Sequence, residues 1–394
     1  MPKRSPVFVA LMLAGASAAA PAAVYVDLAI PNARDHAFAR DVLYVTAGSL
    51  LHRYDLSTCQ WQAPVALGRD LAGIDVSRSG RRLAIADRDV VDGKVHIYII
   101  DLDSDAGPVE VSYPAAFGEA GSYMVAWTAN DYLTVSGAYA GSGWVPLRQL
   151  DLYTGTVTQA RNVRQDTMLA TSGDGELVAL AESNSSAGPV ALWNPVAAAP
   201  VATANTGRYV FEIAADDYGA RVVVPTYFGA HVYANANGAL LPDGVIGKTA
   251  TWGPVSVVVP PGGTQFITAD WDWNGANAGV KIYDAQTLKL QKRIDAYPFA
   301  WSGNRALQQG RLTLSADTRW LAANIAGGVR LYDLEHEPVD RLGETSPLAS
   351  CGALHKSSAT PAPFDTRTFD ADGWELGARP DEAIDVRRGG ILPK

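Results

Sequence analysis

Arginine and aspartate fall together at three places in this chain. "ARDH" supplies Arg34, Asp35 and His36, "GRDL" supplies Arg69 and Asp70, and "VRQD" supplies Arg164 and Asp166. A guanidinium presents a planar fork of donors that matches a carboxylate or a phosphate, so arginines gathered on one rim would clamp an anion. Tyr123, Arg208, Tyr209, Trp252 and Arg305 precede further apolar segments and would join that rim if the chain brings its segments round to one mouth. The same residues have a second reading. Arginine and aspartate on neighbouring segments can satisfy each other and do no more than hold the fold.

A second constellation is "ADWDWNGANAG", which contains Asp270, Asp272 and Asn274 followed by Gly275. This D-x-D-x-N-G spacing opens a calcium loop, with oxygen ligands on alternate residues and glycine at the turn. The match is partial, because Lys281 stands where a helix–loop–helix site has its bidentate glutamate. A long hairpin loop with Asn/Gly turn chemistry explains the stretch equally. Calcium is thus the one candidate cofactor. Aromatics crowd the expected loops as well: Trp144, Tyr227, Phe228, Trp252, Trp271, Trp273, Phe299 and Trp301. Their faces could stack on a sugar or a peptide, or wedge between sheets. Nucleophile elbow, H-E-x-x-H, phosphate loop and dinucleotide fingerprint are all missing. His36 and His231 are the histidines nearest the expected loops and inner strands.

The elements that must position these residues are strands. The sequence has 394 residues, 37 glycines and 23 prolines, and 19% of residues are charged. That composition describes a turn-rich globular chain long enough for a sizeable core. Residues 1–22 read as an export leader: Lys3 and Arg4 form a basic head, an apolar run follows to Ala14, and "ASAAAPAA" offers small residues for cleavage. No later stretch is apolar for long enough to span a membrane, and the expected location is periplasmic or secreted. The formal net charge of −9 becomes more negative once the basic head is lost, and no run of Lys and Arg offsets it, which excludes nucleic acid as a partner.

A unit recurs every 40 to 50 residues. An apolar strand ends in Tyr-Asp-Leu or a variant at Asp55, Asp101, Asp151, Asn194, Ala234, Asp284 and Asp333. Upstream of each lies a Ser/Gly/Asp turn and a short apolar strand, as in "SRSGRRLAIAD" and "SADTRWLAANI". Each unit reads as a four-stranded antiparallel meander. One meander of about 40 residues cannot cover both its faces and leaves its edges unpaired. Seven of them standing face to face around an axis solve both problems, which predicts an all-β, seven-bladed β-propeller over residues 23–345. A two-sheet sandwich is the alternative.

"LYVTAG" followed by "YDLST", with "IYDAQTLKL" and "LTLSADTRWLAAN", resembles the YVTN-type seven-bladed β-propellers of exported bacterial proteins. The resemblance specifies a fold and carries over no catalytic residue. The leading expectation is an exported, non-enzymatic binding protein whose channel mouth takes a small anionic ligand, a glycan or a protein. The alternative is a periplasmic lyase, hydrolase or dehydrogenase subunit that uses the Arg/Asp rim.

Ring closure is open at this level, because both "VYVDLAI" at residues 24–30 and "PVDRLGE" near Pro338 could complete the last blade. Cys59 belongs to the first blade and Cys351 follows the seventh, so a Cys59–Cys351 disulfide is expected, with two separate thiols as the alternative. Residues 346–394 are polar, rich in Pro and Gly, and carry no repeat; they form a tail.

Overall fold

Asp55, Asp101, Asp151, Asp284 and Asp333 each close a third strand and start its turn, and the reason is local. The Asp151 carboxylate accepts from the backbone N–H of Tyr153 at 2.9 Å and of Thr154 at 3.1 Å. Asp284 does the same for Gln286 and Thr287 at 3.1 and 2.7 Å, and Asp55 for Ser57 and Thr58 at 2.9 and 3.0 Å. These side chains replace the ladder partners that the backbone loses where the strand stops. The turn between first and second strands has its own anchor. Ser77, Ser172 and Ser315 accept from the N–H five residues on at 3.0, 3.0 and 2.8 Å.

A computed structural model describes residues 24–183, 185–248, 253–270, 279–294, 311–325 and 327–335. Among the described residues twenty-eight strands form five four-stranded antiparallel sheets and one of eight strands over residues 168–246. In the larger sheet two four-stranded antiparallel meanders meet at a single parallel bridge from Thr203 to Ala239, so the chain reads as seven units. Units 1 to 6 occupy residues 33–66, 71–114, 119–164, 168–205, 214–246 and 254–293. Their first strands are β2 (Ala33–Ala39), β6 (Leu71–Val76), β10 (Glu119–Trp127), β14 (Met168–Thr171), β18 (Ala214–Ala215) and β22 (Pro254–Val258). The seventh unit holds β26 (Leu312–Leu314), β27 (Trp320–Ile325) and β28 (Gly328–Asp333), and its fourth strand is β1 (Val24–Ala29). The N-terminal segment therefore closes the ring. All six residues of β1 pair with β28, from Val24 opposite Asp333 to Ala29 opposite Gly328. Each first strand touches the first strand of the next unit, and β26 returns to β2. The architecture is a β-propeller with a central channel.

The core is the set of spaces between facing sheets. Side chains alternate along a strand, so one strand serves two spaces. In unit 1, Leu43 and Val45 pack with Val26, Leu28, Trp320 and Leu331 of the seventh unit, whereas Tyr44 between them packs with Leu71, Leu83 and Ile85 of unit 2. β28 repeats the pattern: Leu331 faces unit 1, and Tyr332 packs with Ile267 of unit 6. The outermost strand of unit 1, Gln60–Ala66, is exposed at five of its seven positions.

Candidate functional site

A first strand has no sheet neighbour on its channel side, so its backbone needs partners from elsewhere. The neighbouring blade supplies them. Asp35 accepts from the Ile74 N–H at 3.0 Å, and Asp75 accepts from the Trp127 N–H at 2.7 Å. Glu212 accepts from the Val257 N–H at 3.3 Å, and the Ser256 hydroxyl from the Leu312 N–H at 2.8 Å. Thr46 and Ser136 donate to Ala72 and Thr167 carbonyls, each at 2.7 Å. These polar side chains stitch the inner ring blade to blade, and they bring carboxylates to the channel.

The channel encloses a cavity of about 260 Å³. His36, Asp75, Thr171, Glu212, Arg311 and Thr313 supply its polar wall, and Ile74, Val125, Leu169, Val257 and Leu314 its apolar one. Arg311 joins two carboxylates across the channel: its Nε donates to Asp35 at 2.8 Å and its other arm to Glu212. Ser256 donates to the remaining Glu212 oxygen. Among the described residues Asp75 makes no ion pair, and Arg311 reaches it only through its field. Asp75 accepts from the Val76 N–H at 2.8 Å and from the Thr171 hydroxyl at 3.4 Å besides Trp127. Burial pushes the Asp75 carboxyl up to about 6, with the charge of Asp35 adding to the shift and the two N–H donors opposing it. Burial raises the Glu212 carboxyl as well, against the pull of Arg311.

His36 is 1% exposed. Its Nδ1 lies 2.8 Å from the Thr313 hydroxyl, and that hydroxyl donates to the His36 carbonyl at 2.8 Å. The assignment that satisfies both contacts has the hydroxyl donate to the carbonyl and accept from Nδ1–H, which leaves the lone pair on Nε2. Nε2 is buried and has no hydrogen-bond partner among the described residues. Burial holds the imidazole down at about 4.

The structure relocates part of the expected rim. Asp35, His36 and Tyr123 lie within β2 and β10 and are buried, because those strands begin earlier, at Ala33 and Glu119, than the apolar pattern suggests. Both strands carry register shifts near their starts, which blur the alternation. Arg34 holds Asp70 of the next blade with bonds of 2.7 and 3.0 Å, the inter-blade pairing that the sequence left as its second reading. Arg69 is well exposed, 3.6 Å from Asp89. Arg164 lies over the Trp144 ring at 5.6 Å and reaches the Ser142 hydroxyl at 3.0 Å, while Asp166 sits in the adjoining turn with φ of 55°. Arg208 lies over Phe228 at 5.3 Å, beside the edge-on pair Tyr209 and Tyr227. Trp252 and Arg305 lie outside the described residues.

Asp270 is the last residue of its strand and is buried. It accepts from Lys281 at 2.8 Å and from the Thr268 hydroxyl at 2.5 Å. Lys281 thus neutralises the first residue of the calcium-loop pattern. Asp272 and Asn274 lie outside the described residues, as do Cys351, the leader and the tail. Among the described residues no three His, Cys, Asp or Glu side chains gather as a metal would require. Cys59 packs against the cluster shared by β1, unit 1 and the seventh unit.

Sequence reasoning missed Asp75, Thr171, Glu212 and Arg311. A usable signal existed for two of them: "GIDV" and "FEIA" each set one carboxylate inside an apolar run, which a strand tolerates only where that side chain has a defined task.

No family model matches the chain, and no curated protein matches it. Solved structures do. The β-propeller domain of Cps50 (Swd1) from Myceliophteria thermophila aligns with a TM-score of 0.60 at 12% identity, covering 79% of this chain and 99% of that one. A chain of the mitotic checkpoint complex aligns with a TM-score of 0.58 at 14% identity, covering 85% and 98% respectively. At such identities the likeness concerns the fold.

Proposed function

We propose that this β-propeller is a non-enzymatic binding protein that takes a protein partner on the face where its channel opens, at the first-strand starts. Strand directions put the loops before each first strand, and those between second and third strands, on that one face. Phe117, Trp144 and Phe228 are exposed there at 95, 55 and 47%. The observation that carries the reading is the pairing of arginine with exposed aromatic at two separate blades, Arg164 with Trp144 and Arg208 with Phe228. Tryptophan, tyrosine and arginine are the residues that dominate binding energy at protein interfaces, since they offer large rigid faces at small entropic loss. One of the structural neighbours belongs to a multi-protein complex, in keeping with this reading by analogy of fold.

Export to the periplasm or beyond, and kinship with the YVTN-type propellers, belong to the same proposal. They rest on the leader pattern and on "LYVTAG" with "YDLST".

The test is a peptide-display selection against the folded protein, followed by affinity measurement on the selected peptides. Trp144→Ala with Phe228→Ala should weaken binding by tenfold or more, on the order expected for two aromatic anchors. Tyr153→Ala, at an exposed turn on the opposite face, should leave it unchanged. Equal losses from both variants would remove the assignment to this face, and turnover of a bound ligand would mark the enzymatic alternative.

A further inference from the structure

We propose that the central cavity binds a compact organic ammonium ion, its charged head on Asp75 and its carbon body against the apolar wall. This site lies below the mouth and is independent of the partner-binding face. Three observations carry it.

The first is charge. Among the described residues, Asp75, Glu212 and Asp35 face or adjoin the cavity against Arg311 alone, and Arg311 is engaged by the last two. Asp75 is left as a carboxylate with two backbone donors, one hydroxyl and, among the described residues, no ion pair. A charge out of water and without a counter-ion is strongly unfavourable. The second is His36. Its Nδ1 is committed to Thr313, and its buried Nε2 is an acceptor that no donor among the described residues meets. A buried polar atom without a partner calls for a donor from outside the chain. The third is the other half of the wall, where Ile74, Val125, Leu169, Val257 and Leu314 offer an apolar surface beside these acceptors.

Together they specify a ligand that is positively charged, carries N–H donors and has a short hydrocarbon body. At roughly 30 Å³ per water-sized group, a cavity of about 260 Å³ admits a small amine. A bare metal ion fits less well, because its carboxylate ligands would have to leave Arg311.

Isothermal titration of the full-chain protein at pH 8 tests this, with n-butylammonium chloride as probe. Tetramethylammonium chloride lacks the N–H donors, and 1-butanol lacks the charge. Butylammonium should bind with one site per chain, and the other two should give no saturable heat. Asp75→Asn should weaken butylammonium by tenfold to a hundredfold, the range for losing a charge-assisted hydrogen bond. Leu169→Phe, which narrows the cavity and leaves the donors to Asp75 in place, should weaken it as well, and it tests the site even if the first variant fails to fold. Lowering the pH to 5 should weaken wild-type binding too, as Asp75 takes up a proton among Asp35, Arg311, Glu212 and His36. The proposal is overturned by any of three results: no butylammonium binding, unchanged affinity in folded Asp75→Asn, or equal affinity for tetramethylammonium.

Discussion

At the scale of single residues, Asp75 and His36 work against each other as pH changes. The His36 imidazole is held near 4 in the folded chain against an ordinary 6.5. The unfolded chain therefore takes up that proton first, and stability falls as pH drops from 6.5 toward 4. The Asp75 carboxyl stands near 6 against an ordinary 3.8. Here the folded chain keeps a proton that the unfolded one has lost, so stability falls as pH rises from 3.8 toward 6. Glu212 acts in the same sense as Asp75. The two slopes offset each other across the acid range, each worth at most on the order of 3 kcal/mol. Urea unfolding at a series of pH values should show this directly. His36→Asn should remove the acid-side loss, and Asp75→Asn should make it steeper than in the wild type. A pair of variants with parallel wild-type profiles would refute the opposition.

At the scale of elements, β1 is the strand on which closure depends. It covers β28, and its Val26 and Leu28 complete the packing between the seventh unit and the first. Asp27 adds a bidentate grip on Arg330 at 2.6 and 2.8 Å. Removal of residues 24–29 should leave β28 as an open edge and abolish the single cooperative heat transition, which calorimetry with size-exclusion chromatography would detect. Survival of one sharp transition in a monomer would show that something else closes the ring. The units themselves were legible beforehand, since turn chemistry at Asp55, Asp101, Asp151 and Asp284 is written in local sequence. The closing strand was not legible. Both ends of the chain offered an alternating segment, and pairing across the whole length leaves no local mark. The inner polar ring was hidden for a related reason: Asp35, Asp75 and Glu212 serve backbone N–H groups of the following blade, 39 to 52 residues away. Arg311 escaped notice because its partners stand far from it in sequence, at Asp35 and Glu212.

At the scale of the molecule, the seam between unit 1 and the seventh unit is where Cys59 packs. We propose that Cys59 is joined there to Cys351. A bond enclosing more than 290 residues would restrict the unfolded chain by roughly 4 to 5 kcal/mol before strain is deducted. Reducing agent should lower the urea midpoint of the wild type and leave a Cys59→Ser variant unaffected. Equal midpoints with and without reductant, and two free thiols on peptide mapping, would rule the bond out.

The ring's closure also fixes an order of events during synthesis. Asp27 and Arg330 are 303 residues apart, an interval that a ribosome takes roughly 15 to 60 seconds to cross at 5 to 20 residues per second. Throughout that wait the earliest strand has no partner, and the growing stack of sheets ends in two raw faces. A nascent chain built this way cannot commit to its final form until nearly all of it has emerged, which leaves it dependent on whatever shields unpaired strands in the meantime.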